Sequence, residues 1–369
     1  MKIFFFGRYN VSERLSGPEK VAKRLFENVL QKEPNSIFIE YFFEGKKYKL
    51  SQKLFGKEIT LYKETLIIRF GLIRLLFFLI KERPDVIHLI TFERFSFIAF
   101  IYKMLKDVKI IYTVHGIIQF EDSELKTDLT RTYKIKNKFF ERIIFKYSDK
   151  IVFLTNISMN FSKNFFNVLK GKVSVIPNGV DEAFNKVVKS TKYSLNDRLR
   201  IIFVGDCSRK EKGMDFLIKS LAEITIPVEL FIVGENTDHF DKIENTNLHL
   251  QFVEKKEQAE FIEFLKDKDV IISASFYENF SISVAEAMSA GVIPVVTKET
   301  GISELIKNGK NGFVYNYGDS NELLHILYMI NNKEAQLKEL IDETKKIYQQ
   351  ICWQKISAEY INIYESLLR

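Results

Sequence analysis

The chain has 369 residues, about twice the usual length of one domain, so two domains are the starting expectation. Hydrophobic residues make up 46% and charged residues 28%, which is the balance of a folded protein and excludes a disordered chain. Two cysteines, with no CxxC spacing, exclude a disulfide framework and suit a reducing compartment. The net charge of +7 hides a split, because the first 180 residues carry +14 and the remainder −7. Such a split points to an anionic surface or partner for the first half alone, through clusters such as Lys46-Lys47-Lys49 and Lys134-Lys136-Lys138. Solvated lysine-rich helix faces would give the same count.

Residues 2–6 predict a first strand; the apolar run at Met1 to Gly7 is too short for a signal peptide. Gly7 to Gly17 reads as a polar loop. Pro18 then suits the first turn of a helix with Val21, Leu25 and Val29 at helical spacing. Strands are predicted at 36–41, 86–90, 109–113, 150–154 and 172–176, and helices at about 67–82, 93–105, 136–148 and 157–169. The greasiest stretch, 66–80, contains Arg69 and Arg74 and is too short to cross a bilayer. It is expected to be a helix packed on a sheet, the alternative being a helix that dips into a bilayer surface. Residues 121–132 are polar and unpatterned, so they read as a loop. His88 and His115 both lie at a strand's carboxyl end, where a histidine serves either packing or chemistry.

Ile176-Pro177-Asn178-Gly179-Val180-Asp181 reads as a tight turn with a residue at positive φ, and 182–198 as a linker. Strands then recur at 200–204, 228–233, 248–252, 270–273 and 293–296. Helices recur at 213–223, 257–267, 282–290 and 320–330. Alternation of this kind predicts a doubly wound parallel sheet in each half. Gly205-Asp206-Cys207-Ser208-Arg209-Lys210-Glu211-Lys212-Gly213 is a basic loop opening a helix: a diphosphate cradle in kind, or a solvated charge cluster. Residues 270–296 form one strand–loop–helix–strand crossover, and ligands sit beyond the carboxyl ends of such strands. Glu278 lies in its loop and Glu286 inside its helix, on either side of free helix N–H groups. That suits a ligand with both phosphate and sugar hydroxyls; two solvated glutamates are the bland alternative. Residues 353–367 form an amphipathic helix.

The whole of 275–316 resembles the donor-site signature of the retaining glycosyltransferases of family 4. Their usual Glu-Gly-Phe-Gly is Glu278-Asn279-Phe280-Ser281 here. Ser16-Gly17, the strand ending in His115, the 176–181 turn, the 205–213 loop and Val233-Gly234-Glu235 resemble other motifs of that family, in the same order. The resemblance implies an α/β GT-B fold of two Rossmann-like domains facing a cleft. The first, 1–180, would bind the acceptor and be completed by about 353–369; the second, 181–352, would bind the nucleotide sugar. It further implies transfer from a UDP- or GDP-sugar with retention, with no cofactor and no obligatory metal. Glu278 would hold sugar hydroxyls and stabilise developing positive charge, and His115 would support the sugar. Lys212 would neutralise the diphosphate together with Arg209, which stands in for the arginine that the family places where Asp206 lies. Glu286 would accept the ribose hydroxyls, and the backbone of Asn279, Phe280 and Ser281 would touch sugar or phosphate. Gly205 opens the cradle, Val253 lies where the nucleobase is read, and Ser16 and Gly17 form the acceptor and phosphate loop. The expected acceptor is a lipid-linked or other glycan of cell-envelope or capsular synthesis. The expected place is the cytoplasm, at the inner face of the membrane and in peripheral contact with anionic lipid, with no nucleic acid as partner. A nucleotide-sugar epimerase or hydrolase, or a non-catalytic glycosyltransferase-like subunit, are the alternatives.

Overall fold

The computed structural model describes the chain apart from residues 10–16, 43–47, 63–64, 126–129, 168–169, 190–197, 236–244 and 333. Two compact units result: Met1–Gly179 with Trp353–Arg369, and Val180–Cys352.

The first unit holds β1 (Ile3–Phe6), β2 (Ile37–Tyr41), β3 (Lys57–Tyr62), β4 (Thr65–Phe70), β5 (Val86–Leu89), β6 (Lys109–Val114), β7 (Lys150–Phe153) and β8 (Val173–Val175). They form one sheet in the order β3-β4-β2-β1-β5-β6-β7-β8. Every pairing is parallel except β3 with β4. β1 reads Ile-Phe-Phe-Phe and is buried throughout, as a strand covered on both faces requires.

The expected helix at 67–82 is in fact two elements. Thr65–Phe70 is β4, and the helix Leu72–Glu82 starts only after Gly71. Gly71 is the break because a Cβ there would lie 2.5 Å from the Leu54 carbonyl carbon and 2.6 Å from the Gln52 oxygen. β3 escaped the sequence reading because its apolar residues Ile59 and Leu61 face outward on the sheet edge. The expected loop at 121–132 is also shorter: Glu121–Leu125 is helical and the Arg131–Tyr147 helix begins inside the stretch, capped by Thr130. The helix expected over 157–169 ends at Ser162. Lys46, Lys47 and residues 190–197 of the expected linker lie outside the described residues, and the linker's start, Glu182–Asn185, is a short helix.

The 176–181 turn has no residue at positive φ. Gly179 is needed for another reason: a Cβ would come 2.3 Å from the Trp353 ring. Trp353 starts the helix Trp353–Leu368, which buries Ile356, Tyr360 and Tyr364 in this unit. There His88 Nδ1 meets Tyr364 Oη at 2.8 Å and His88 Nε2 meets Thr113 Oγ1 at 2.8 Å. Burial, helped by nearby His115, lowers the His88 pKa from 6.5 to about 3. A depressed folded pKa contributes stability above pH 6.5 that is lost as pH falls toward 3. Thermal melts across the acid range should therefore show the first unit weakening below pH 6.5. The His88→Gln variant should lose part of that slope; equal slopes would remove His88 from the acid response.

The second unit holds β9 (Leu199–Val204), β10 (Val228–Val233), β11 (Leu248–Val253), β12 (Val270–Ser273), β13 (Ile293–Thr297) and β14 (Phe313–Tyr315). All are parallel, in the order β11-β10-β9-β12-β13-β14. β14 and the helix Glu334–Lys345 are additions to the predicted set. The chain runs outward from β9 to β11, then restarts on the other side of β9 with β12. At such a reversal the loops leaving the two central strands diverge and open a crevice beyond their carboxyl ends. Here those are the loops after β9 and β12. In the first unit the same reversal falls between β1 and β5.

Candidate active site

The loop after β9 is shaped by close backbone approaches. A Cβ on Gly234 would lie 1.8 Å from the Gly205 oxygen, and one on Gly213 would lie 1.9 Å from the Ala274 oxygen. Gly213 also takes φ +69°, which glycine adopts without strain. The loop is thereby pressed onto the end of β12, where the Phe276 N–H donates to the Glu211 oxygen at 3.0 Å.

Within this loop the Asp206 carboxylate turns back on its own chain, accepting from the Ser208 N–H at 3.0 Å and hydroxyl at 2.7 Å. Arg209 forms an ion pair with Glu211, a carboxylate only 3% exposed. A buried carboxylate needs such a partner, so Arg209 is engaged within the loop. Lys212 points elsewhere: its ammonium pairs with Glu278, 66 residues further along the chain.

Glu278 is fixed by its backbone. Its N–H donates to the Glu299 oxygen at 3.3 Å, and its own oxygen accepts from the Gly301 N–H at 2.8 Å. Phe280 is buried and its oxygen accepts from the Ile302 N–H at 2.9 Å. Beneath the loop lies a cluster of buried hydroxyls that sequence reasoning missed. Thr300 Oγ1 is 3.0 Å from Ser273 Oγ and 2.9 Å from Thr297 Oγ1, and Thr297 donates to the Ser275 oxygen at 2.5 Å. Small hydroxyl residues at the ends of β12 and β13 were its only trace in the sequence.

Ser281 stands before the helix Ile282–Ser289 at φ +73°, with its side chain making no capping bond. A left-handed residue other than glycine costs about 1–2 kcal/mol. Ser281→Gly is therefore expected to stabilise the chain by about 1 kcal/mol. A rise in the urea midpoint at unchanged slope would show it, and an unchanged or lower midpoint would mean that the serine side chain offsets the strain. Asn279 is buried beside Ser281, and Glu286 lies in the following helix, 5% exposed. The Val253 oxygen accepts from the Gly234 N–H at 3.1 Å, so it already serves the strand ladder.

Two predicted residues belong to the first unit, and a third lies outside the described residues. Gly17 is the first residue of the helix Gly17–Leu30; Ser16 is not described. His115 follows β6, and burial lowers its pKa to about 4, opposed by a hydrogen bond with the Ile90 backbone. It is neutral at physiological pH. Among the described residues no group of His, Cys, Asp and Glu side chains gathers that could hold a metal ion. In the second unit a cation, a carboxylate and a helix start thus meet at the reversal point of the sheet. They can receive a diphosphate and the hydroxyls of a sugar.

The chain matches the family described as Glycosyl transferases group 1 over residues 188–347 and Glycosyltransferase Family 4 over residues 40–184. It is 27% identical to a Klebsiella pneumoniae protein of a cps region, across 84% of this chain and 89% of that one. An Escherichia coli galactosyltransferase, named for UDP-Gal and alpha-D-GlcNAc-diphosphoundecaprenol, is 26% identical across 72% of this chain and 71% of its own. The solved structure of Anabaena HepE with UDP and glucose superposes with a TM-score of 0.73 at 18% identity, covering 99% of this chain and 100% of that one.

Proposed function

This chain belongs to the family 4 glycosyltransferases and has the GT-B fold, and we propose that it moves a sugar from a UDP- or GDP-sugar to an acceptor. On this reading the anomeric configuration is retained and no metal is obligatory. The observation that carries it is the Lys212–Glu278 pair at the sheet reversal, with Glu286 in the adjoining helix. The donor's diphosphate would draw Lys212 away from Glu278, and the freed carboxylate would turn to the sugar. The departing phosphate would take the acceptor's proton, so no separate base is required.

UDP is the nucleotide to test first, since it is the one named for the galactosyltransferase and bound in HepE. A lipid-linked acceptor in surface-glycan synthesis is supported by the diphosphoundecaprenol of that galactosyltransferase and by the cps region of the Klebsiella relative. The test is a screen of UDP- and GDP-hexoses with a polyprenyl-diphosphate glycan acceptor, with and without chelator, reading the anomer of the product by NMR. An inverted product or loss of turnover in chelator would overturn the finer reading. Turnover without acceptor would indicate a hydrolase or epimerase. The engagement of Arg209 by Glu211 favours one further alternative, a non-catalytic subunit, which would bind UDP and turn over no donor.

Glu286 is proposed to accept the two ribose hydroxyls. Glu286→Ala should weaken binding of free UDP by roughly 1–3 kcal/mol, the cost of leaving polar groups unpaired. Calorimetric titration measures this directly. Parent-like affinity would move the ribose to other residues.

A further inference from the structure

We propose that one face of the first unit, built from the helix Arg131–Tyr147 and the end of the helix Phe97–Leu105, docks on an anionic lipid surface. The Arg131–Tyr147 helix carries six cations and a single carboxylate, Glu141. Glu141 is fully buried and accepts from the N–H groups of Ile118 at 2.7 Å and Gln119 at 2.9 Å. The outward face of this helix is therefore cationic without compensation from its own residues. Two large apolar side chains stand among those cations, Ile135 at 57% and Phe139 at 59% exposure, one turn apart.

The neighbouring helix extends the face. Phe97 stacks on Phe140 at 5.8 Å, and the Lys103 ammonium donates to the Tyr147 oxygen at 3.4 Å. Beside that contact Met104 and Leu105 are exposed. Asp107, just beyond the helix, is exposed but lies 3.5 Å from Lys109. Water disfavours exposed aliphatic and aromatic side chains, and bare cations repel each other. An anionic headgroup layer over an acyl boundary relieves both, and no uncharged protein surface would. No helix among the described residues is long and apolar enough to cross a membrane, so this contact would be peripheral. Through Glu141 the same helix also anchors the segment that follows His115.

The test is flotation of the full chain with vesicles of equal parts phosphatidylcholine and phosphatidylglycerol, against phosphatidylcholine alone. The parent should float with the anionic vesicles only, and less at high salt. Ile135→Ser with Phe139→Ser, and Lys136→Glu with Lys138→Glu and Arg142→Glu, should each lower vesicle affinity by roughly tenfold or more. Leu61→Ser, on the exposed edge strand β3, should float as the parent does. Circular dichroism and thermal melts that match the parent show that every variant is folded. The proposal is overturned if the parent does not float at low salt, if neutral vesicles bind equally, or if both face variants float normally. It draws on the proposed function only for its membrane-side acceptor, and the two can fail separately. Absence of donor turnover in a floating parent would sink the transfer reading alone.

Discussion

Glu278→Ala is expected to lower donor turnover by about a hundredfold or more while free UDP binds within a few-fold of the parent. The split follows from where Glu278 sits. Its backbone is tied to Glu299 and Gly301, which fixes the point from which the side chain reaches, and its carboxylate meets the Lys212 ammonium with both partners about one-fifth exposed. On the proposed reading its partner during reaction is the sugar, close to the carbon where charge develops, and free UDP never touches it. Truncation also leaves Lys212 without its carboxylate, which by itself is destabilising for a largely buried pair. Glu278→Gln keeps the shape and separates these effects: it should stay as stable as the parent within about 1 kcal/mol and still lose most turnover. Lys212→Ala should cost at least about tenfold, because it removes the cation that meets the leaving diphosphate. The double variant should be little worse than Glu278→Ala, since the two act as a unit. A Glu278→Ala enzyme with normal turnover would reduce the pair to a structural tie between two loops. Asp206→Ala should leave turnover nearly unchanged, because that carboxylate already serves Ser208.

Gly234→Ala is expected to destabilise the second unit by about 3 kcal/mol or more. The added methyl would meet the Gly205 oxygen at 1.8 Å. Neither side can yield cheaply: the Gly205 N–H is bonded to the Val233 oxygen at 3.0 Å and the Gly234 N–H to the Val253 oxygen at 3.1 Å. Separating the strand ends would break this ladder and shift the loop that carries Lys212, so surviving protein should also turn over poorly. Gly205→Ala is the control, because the nearest atom to its Cβ is 3.5 Å away, an ordinary contact. It should cost less than about 1 kcal/mol. Denaturant unfolding followed by a probe in the second unit compares the two. Equal midpoints for Gly234→Ala and the parent would contradict the close approach.

The sequence by itself determined the alternation that makes two parallel sheets, and it placed Glu278 and Glu286 on one strand–loop–helix crossover. Those signals are local: short apolar runs, a period of two or of 3.6, and glycines where an element must stop. Where a local signal was shared by two structures, tertiary context decided. Thr65–Phe70 is apolar enough for either element, and it became a strand because β2 and β3 flank it and Gly71 must pass the Leu50–Phe55 helix. Gly179 looked like turn chemistry and is instead the seat of Trp353, 174 residues away in the chain. The loop cations look alike in sequence, yet only the fold shows that Arg209 answers a buried Glu211 while Lys212 reaches Glu278. That last pairing depends on β9 lying beside β12, which the chain accomplishes only after laying down β10 and β11 on the other side. Strand order is set by which faces can be buried together, a property of the whole sheet, and no window of sequence around either residue contains it.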